Sequence, residues 1–199
     1  MEAAPVPSHT RIPLDLMTVS ARFLLAASLI ATTATTASAQ FGGGSLHGTS
    51  VGLSYNTATG DFKNKVQSGF GFALHTGLGE GGETWSGRGS FGFDRFNGTG
   101  ALNNVQFISY GFDIVHSSSP YLYQFAGIGL SSTSYDYKST ADAGAAGTRN
   151  GQNFGFTGGI GIKFGTPGSI QLFTEFAATT LFTGNKNSNW LPVRMGLKF

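Results

Sequence analysis

From about residue 46 onward, apolar and polar positions alternate with a period of two, in short runs separated by clusters rich in Gly, Asn and Ser. Side chains of a β-strand point alternately to opposite faces, so each run predicts a strand with one apolar and one polar face. None of these runs has a helical period of useful length. The pattern predicts eight strands, over Leu46–Thr57, Val66–Leu78, Thr84–Phe96, Asn104–His116, Pro120–Tyr137, Asn153–Phe164, Ser169–Leu181 and Trp190–Phe199.

The fifth run is the least regular. Tyr123 and Phe125 share one parity, whereas Ile128 and Leu130 share the other, and a β-bulge near Ala126 is predicted to reconcile them. Aromatic residues near strand ends are predicted to face outward and to form girdles at the two membrane interfaces. These residues are Trp85, Tyr121, Tyr123, Phe125 and Trp190.

The connections between the runs are predicted to alternate in length. Short, turn-like connections are expected at Gly79–Glu83, Ser117–Pro120 and Gly165–Gly168. Longer polar loops are expected at Thr59–Lys65, Asn97–Asn103, Lys138–Gln152 and Thr183–Asn189. Outer-membrane barrels have short periplasmic turns and longer outside loops. With an even number of strands, both ends of the barrel sequence would lie on the periplasmic side.

The faces opposite the large apolar residues decide between a membrane barrel and a water-soluble one. They carry mostly Gly, Ser, Thr and a few charges, so we do not expect them to form a dry core, and the apolar faces must meet lipid. Composition agrees: charged residues make up only 11% of the chain, aromatic residues 13%, and Gly 31 of the 199 residues. The predicted fold is all-β, an eight-stranded antiparallel up-and-down transmembrane β-barrel.

The N-terminal region is predicted to be a cleavable signal peptide, over residues 1–39. Arg22 precedes a short apolar run, Phe23–Ala31, and Ala37-Ser38-Ala39 forms a cleavage site before Gln40. The apolar run is too short to span a bilayer as a helix. Residues 1–16 are untypical of a signal peptide, so we predict that Met17 is the true start. The barrel is predicted to occupy residues 40–199.

Several of these stretches resemble the bacterial outer-membrane β-barrel domain family, a porin-like family that includes eight-stranded barrels of the OmpX and OmpA type. The stretches are Asn153–Gly165 (NFGFTGGIGIKFG), Leu172–Phe176 (LFTEF), Leu191–Phe199 (LPVRMGLKF) and Pro120–Leu130 (PYLYQFAGIGL). The resemblance implies a location in the outer membrane, with lipid as a partner. It also implies that the barrel-assembly machinery reads the closing strand, through Leu191, Val193, Met195, Leu197 and Phe199.

The predicted inward faces carry six charged residues, which could form interior ion pairs or a gate. Glu175 and Arg194 are expected to meet across strands seven and eight, and Arg88 and Asp113 across strands three and four. Lys163 and Asp94 also have the inward parity. Two readings stay open: ion pairs that plug a narrow barrel, or a gate in a hydrated interior that Gly residues such as Gly159 and Gly161 leave roomy.

Other chemistry has little support in the sequence. His116 beside Ser117, Ser118 and Ser119 suggests a nucleophilic triad, with Asp113 as a carboxylate neighbour, and makes a lipid-modifying enzyme a remote alternative. No paired His spacing indicates a metal, no Gly-rich loop indicates a nucleotide, and the scattered basic residues exclude nucleic-acid binding; no cofactor is expected.

The function predicted from the sequence is a non-catalytic outer-membrane barrel with a structural or surface-interaction role. Its outer loops, chiefly Lys138–Gln152, would meet an extracellular ligand. The main alternative is a narrow porin that passes water and small solutes.

The closing strand yields a test of the assembly prediction. Deleting Phe199 should reduce the amount of folded protein in the outer membrane, because the aromatic end of the assembly signal is lost. Heat-modifiable migration on a detergent gel measures the folded fraction. Normal assembly of the truncated chain would contradict the role given to this strand.

Overall fold

The protein forms eight long antiparallel strands. The structure, a computed structural model, describes residues 48–78, 84–138, 148–183 and 186–199. The predicted signal peptide lies outside the described residues. The strands are β1 (Ser50–Thr59), β2 (Val66–Leu78), β3 (Trp85–Gly98), β4 (Leu102–Ser117), β5 (Leu122–Tyr137), β6 (Thr148–Phe164), β7 (Gln171–Thr183) and β8 (Lys186–Lys198). Within these ranges, no helix is long and apolar enough to cross a membrane.

The strands close into a barrel in the order of the sequence. Each strand pairs with its neighbour in an antiparallel way, and β1 pairs with β8 from Ser50↔Lys198 to Thr59↔Asn189. Lys198 and Ser50 therefore lie at the same end of the barrel. Following the prediction for the termini, we call this the periplasmic end, and we call the opposite end, where β1 meets β2 and β5 meets β6, the outer end.

Large apolar side chains cover the outside of the barrel. The alternation predicted for strands one, four, six, seven and eight agrees with their exposure, and the predicted fold class is confirmed. Closed barrels satisfy every backbone hydrogen bond between strands, which is what lipid requires. The exposed residues include Leu53, Phe70, Ile108, Phe112, Phe156, Ile160, Phe176 and Met195.

Two of the predicted outer loops are instead mostly strand. β3 continues to Gly98 and β4 begins at Leu102, so Asn97–Asn103 contains only a three-residue connection. Likewise β7 ends at Thr183 and β8 begins at Lys186. Gly, Asn and Thr clusters suggested turns, but pairing with the neighbouring strand overrides these weak local preferences. Gly100, with a φ of 59°, makes the tight turn between β3 and β4.

The predicted bulge in the fifth strand is wrong. β5 pairs in regular register with β6 through Ala126↔Gly158, and Tyr123 and Phe125 point into the barrel, not into lipid. Trp190 is also buried inside, with 1% exposure, so it is not part of an outer girdle. Its neighbour Leu191 faces outward, and consecutive residues of a regular strand cannot share a face. Trp85 and Tyr121 are exposed as predicted.

The inward Gly residues make room for side chains of neighbouring strands rather than for a wide hydrated interior. A Cβ on Gly161 would strike the ring of Tyr123, and a Cβ on Gly52 would lie 2.9 Å from the ring of Phe173. A Cβ on Gly127 would strike the carboxylate of Asp113. An eight-stranded barrel is just wide enough for its side chains to fill it, and here small and large residues alternate to do so.

An apolar cluster that the sequence pattern did not predict fills the outer end of the barrel. A 3₁₀ turn at Gly60–Asn64, between β1 and β2, inserts Phe62 into the mouth. The ring of Phe62 packs against Phe96 and Phe107, at 5.1 and 5.8 Å between centroids. We call this set the outer cluster; its buried members are Phe62, Val66, Phe96, Leu102, Val105, Phe107, Leu181 and Trp190.

The fit between glycines and large side chains can be tested on one strand. Gly161→Ala should destabilise the barrel by about 1–3 kcal/mol, because the added methyl overlaps the buried ring of Tyr123. Gly151→Ala is the matched control on β6, since its Cβ would have only Asn153 Nδ2 nearby, at 3.9 Å. Urea unfolding in detergent micelles measures both. Equal stability of the two variants would argue against tight packing at Gly161.

Candidate functional site

Glu175 is the centre of a hydrogen-bonded ion network inside the barrel. It lies on the inward face of β7, fully buried, and its register partner on β8 is Arg194. Arg88 Nη1 donates to Glu175 Oε1 at 2.5 Å, and Arg194 Nη1 donates to Oε2 at 3.3 Å. The hydroxyl of Tyr123 donates to Oε1 at 2.9 Å. A buried carboxylate is tolerated only when it is paired in this way.

Arg88 connects this carboxylate to a second one. Its Nε donates to Asp113 Oδ2 at 2.9 Å, across the register pair of β3 and β4. Its guanidinium also lies over the ring of Phe125, 4.4 Å from the centroid. The planar fork of an arginine can serve two carboxylates and stack on an aromatic face at once, which a lysine cannot do. The network therefore carries two positive and two negative charges, and they balance.

Lys163 has the inward parity that was predicted, but it lies apart from the network. Its Nζ is 5.4 Å from the centroid of the Tyr123 ring. Within the described ranges, the ion pairs are Arg88–Asp113, Arg88–Glu175 and Arg194–Glu175, and none involves Lys163.

Asp94 and His75 are further buried polar groups of the interior. Asn56 Nδ2 donates to Asp94 Oδ1 at 2.6 Å, so this carboxylate is held by an amide rather than by a cation. His75 Nδ1 lies 3.3 Å from Ser50 Oγ. Parity indicated that Asp94 and His75 face inward. The roles of Asn56 and of the Tyr123 hydroxyl were missed, because Asn56 carries no charge and Tyr123 was assigned to the lipid face.

A cavity of about 80 Å³ extends between the outer cluster and the network. Leu181 and Trp190 line it on one side, and Asp113 and Arg194 on the other. A water molecule needs roughly 10–15 Å³ of such space and two to four polar partners. The volume suits a few water molecules, which is far less than a continuous channel would contain.

The arrangement around His116 is not that of a nucleophilic triad. His116 Nδ1 lies 3.4 Å from Ser118 Oγ at the exposed periplasmic rim, and its ring packs on Trp85 at 4.5 Å. Asp113 points to the opposite face of β4, where it binds Arg88. No group of three His, Cys, Asp or Glu residues in the described part of the chain could hold a metal ion.

The residues of the predicted assembly signal line the lipid-facing side of β8. Leu191, Val193, Met195, Leu197 and Phe199 are all exposed, with Pro192 and Arg194 between them on the inward side. These residues lie along the seam between β8 and β1.

The network should stabilise the barrel as a unit. Glu175→Ala leaves Arg88 and Arg194 buried without this partner, and we expect a loss of about 3–5 kcal/mol in the free energy of unfolding. Asp136→Ala is the control, because Asp136 sits at the outer end and accepts from the neutral amides of Asn103 and Asn104. Urea unfolding followed by tryptophan fluorescence measures both. A loss no larger than that of the control would contradict the central place of Glu175.

Comparison with known proteins bears on the fold. No family model matches the chain, and no curated protein matches its sequence. The crystal structure of Ail, the attachment invasion locus protein of Yersinia pestis, is similar with a TM-score of 0.57 and 15% identity, over 76% of this chain and 96% of Ail. Ail in complex with the heparin analogue sucrose octasulfate gives a TM-score of 0.54 at 15% identity, over 76% and 97% of the two chains.

A third solved structure points the same way. A major outer membrane protein from Thermus thermophilus gives a TM-score of 0.51 at 14% identity, over 77% of this chain and 99% of that one. At such identities the likeness speaks for the fold alone. The chain has the fold of the bacterial outer-membrane β-barrels, which confirms the predicted resemblance at the level of the fold.

Proposed function

We propose that this protein is a non-catalytic outer-membrane barrel whose closed interior is structural and whose outer end binds an extracellular ligand. The observation that carries the proposal is the packing of the interior at two levels. The outer cluster fills one level, with Phe62, Phe96, Phe107 and Trp190 each at most 2% exposed. The network around Glu175 fills the other. Because both levels of the interior are filled, the two ends of the barrel remain as the surfaces available for binding a ligand.

The outer end presents three exposed lysines next to the turn between β3 and β4. The backbone N–H of Thr99 in this turn donates to Lys65 O at 2.8 Å. On the other side of the turn, the N–H of Lys138 donates to Ala101 O at 2.9 Å. We call Lys63, Lys65 and Lys138 the basic rim. Two carboxylates lie at the same end: Asp136, which accepts from two amide side chains, and the exposed Asp61. The three lysines outnumber them, so the net charge of these five residues is positive.

A positively charged rim favours an anionic ligand. Ail, which shares the fold, has been crystallised with a heparin analogue, sucrose octasulfate. We propose that a polyanionic saccharide of this kind is the ligand of the basic rim. The predicted signal peptide of residues 1–39 and recognition of β8 by the barrel-assembly machinery are part of the same proposal, because they would deliver the barrel to the cell surface.

The cavity beside Arg194 and Asp113 favours the alternative, a narrow porin, because water held there could cross the barrel if the plugs moved. Conductance in a planar bilayer separates the two functions. We expect no stable single-channel steps from the wild-type protein. Stable steps that widen in Glu175→Ala would support the porin and contradict the closed barrel.

Binding of sucrose octasulfate tests the outer end. The variant Lys63→Gln/Lys65→Gln/Lys138→Gln should bind about tenfold more weakly or worse, since each rim charge contributes roughly 0.2–1 kcal/mol, and affinity should fall as salt rises. Asp61→Asn, which removes an exposed negative charge from the same turn, should bind more tightly. Isothermal titration calorimetry in detergent measures all three proteins. An affinity for sucrose octasulfate that is the same in all three proteins would rule out the basic rim as the binding site.

A further inference from the structure

Two lysines point into the barrel at the periplasmic end, one on each side of β7. Lys163 on β6 pairs in register with Phe173 of β7, and Lys198 on β8 pairs with Gln171 of β7. Both lysines are only partly exposed. This end is the opposite one from the basic rim, so the two groups of lysines are separate features of the molecule.

Neither lysine has a carboxylate partner among the described residues. Glu175 and Asp113 are occupied by Arg88 and Arg194. The C-terminal residue Phe199 follows Lys198 directly, yet its backbone oxygen accepts from the N–H of Gly48 at 2.9 Å. Gln171 is also engaged, since its side-chain amide donates to Gly165 O at 3.2 Å.

The two lysines are both partly buried, and they lie on the same stretch of the wall because their register partners, Phe173 and Gln171, are two residues apart on β7. Burying charge away from water is unfavourable unless an opposite charge compensates it. Two such ammonium groups, neither of them in an ion pair within the described part of the chain, form an environment that attracts anions.

Aromatic side chains lie next to the two lysines inside the barrel. Phe173 is 1% exposed, and the ring of Tyr123 lies beneath Lys163. Beyond them lies the charge-balanced network around Glu175. The two lysines therefore lie on the periplasmic side of a filled interior.

We propose that Lys163 and Lys198 together bind a phosphate group at the periplasmic mouth. A divalent tetrahedral anion compensates both ammonium groups at once, whereas chloride or a carboxylate compensates only one. Each lysine offers three N–H donors without a fixed direction, which suits the oxygens of a phosphate. The phosphate could belong to a free inorganic ion in the periplasm or to the headgroup of a phospholipid in the inner leaflet.

Nuclear magnetic resonance of the ¹⁵N-labelled barrel in lauryldimethylamine oxide, a detergent without phosphate, tests the proposal. Inorganic phosphate, added at constant ionic strength, should shift the amide signals of Lys163, Gln171 and Lys198 in a saturable way. Acetate should have a weaker effect. Short-chain dihexanoyl phosphatidylglycerol is the second probe. Saturation by inorganic phosphate identifies a soluble ligand, and saturation by the lipid alone identifies a headgroup.

Variants of the two lysines test whether their side chains cause the saturable shifts of the amide signals. Lys163→Gln and Lys198→Gln should each weaken binding roughly three- to tenfold, and the double variant should lose saturation. Arg95→Gln is the control, because Arg95 lies on the lipid-facing side of β3. This variant should bind as the wild type does. Heat-modifiable migration verifies that each variant is folded. Absence of saturation with both probes, or saturation that persists in the double variant, would overturn the proposal.

Discussion

The whole architecture depends on closing the sheet, because a backbone group left unpaired in lipid costs several kcal/mol. Pairing of β1 with β8 from Ser50↔Lys198 to Thr59↔Asn189 removes both edges. Closure by eight strands then sets the width of the barrel, and the width sets what the interior can contain. The apolar outer face, the filled interior and the use of the two ends for interaction all follow from this constraint.

Inside so narrow a barrel, a large side chain needs a small one opposite. Tyr123 occupies the space that Gly161 leaves open, and Phe173 that of Gly52, so each glycine helps to place a group of the interior. The Tyr123 hydroxyl then reaches Glu175 at 2.9 Å. Glycines that suggested a hydrated lumen are therefore the reason that the lumen is filled. The polar layer is tolerated because its charges balance and its carboxylates are hydrogen-bonded.

Charged residues of the network in the middle of the barrel are in ion pairs, whereas, among the described residues, the lysines at its two ends are not. In the middle of the barrel, Arg88 and Arg194 are matched by Asp113 and Glu175. At the ends, lysines occur without an ion-pair partner in the described part of the chain: the basic rim on one side, and Lys163 with Lys198 on the other. Charges that stabilise a fold are usually paired, and unpaired cations at opposite ends are available to ligands. The two proposals concern different ends and can succeed or fail independently.

The sequence by itself determined the strand count, the lipid-facing parity of most strands and the neighbour pairs Glu175–Arg194 and Arg88–Asp113, because alternation and strand order specify which residues meet across a hairpin. Only the tertiary structure decided that Arg88 on β3 reaches Glu175 on β7, that Tyr123 points inward, and that Phe62 enters the mouth. These contacts cross the barrel or come from a turn, and they depend on the diameter and stagger of the closed sheet. No local period in the chain contains that information.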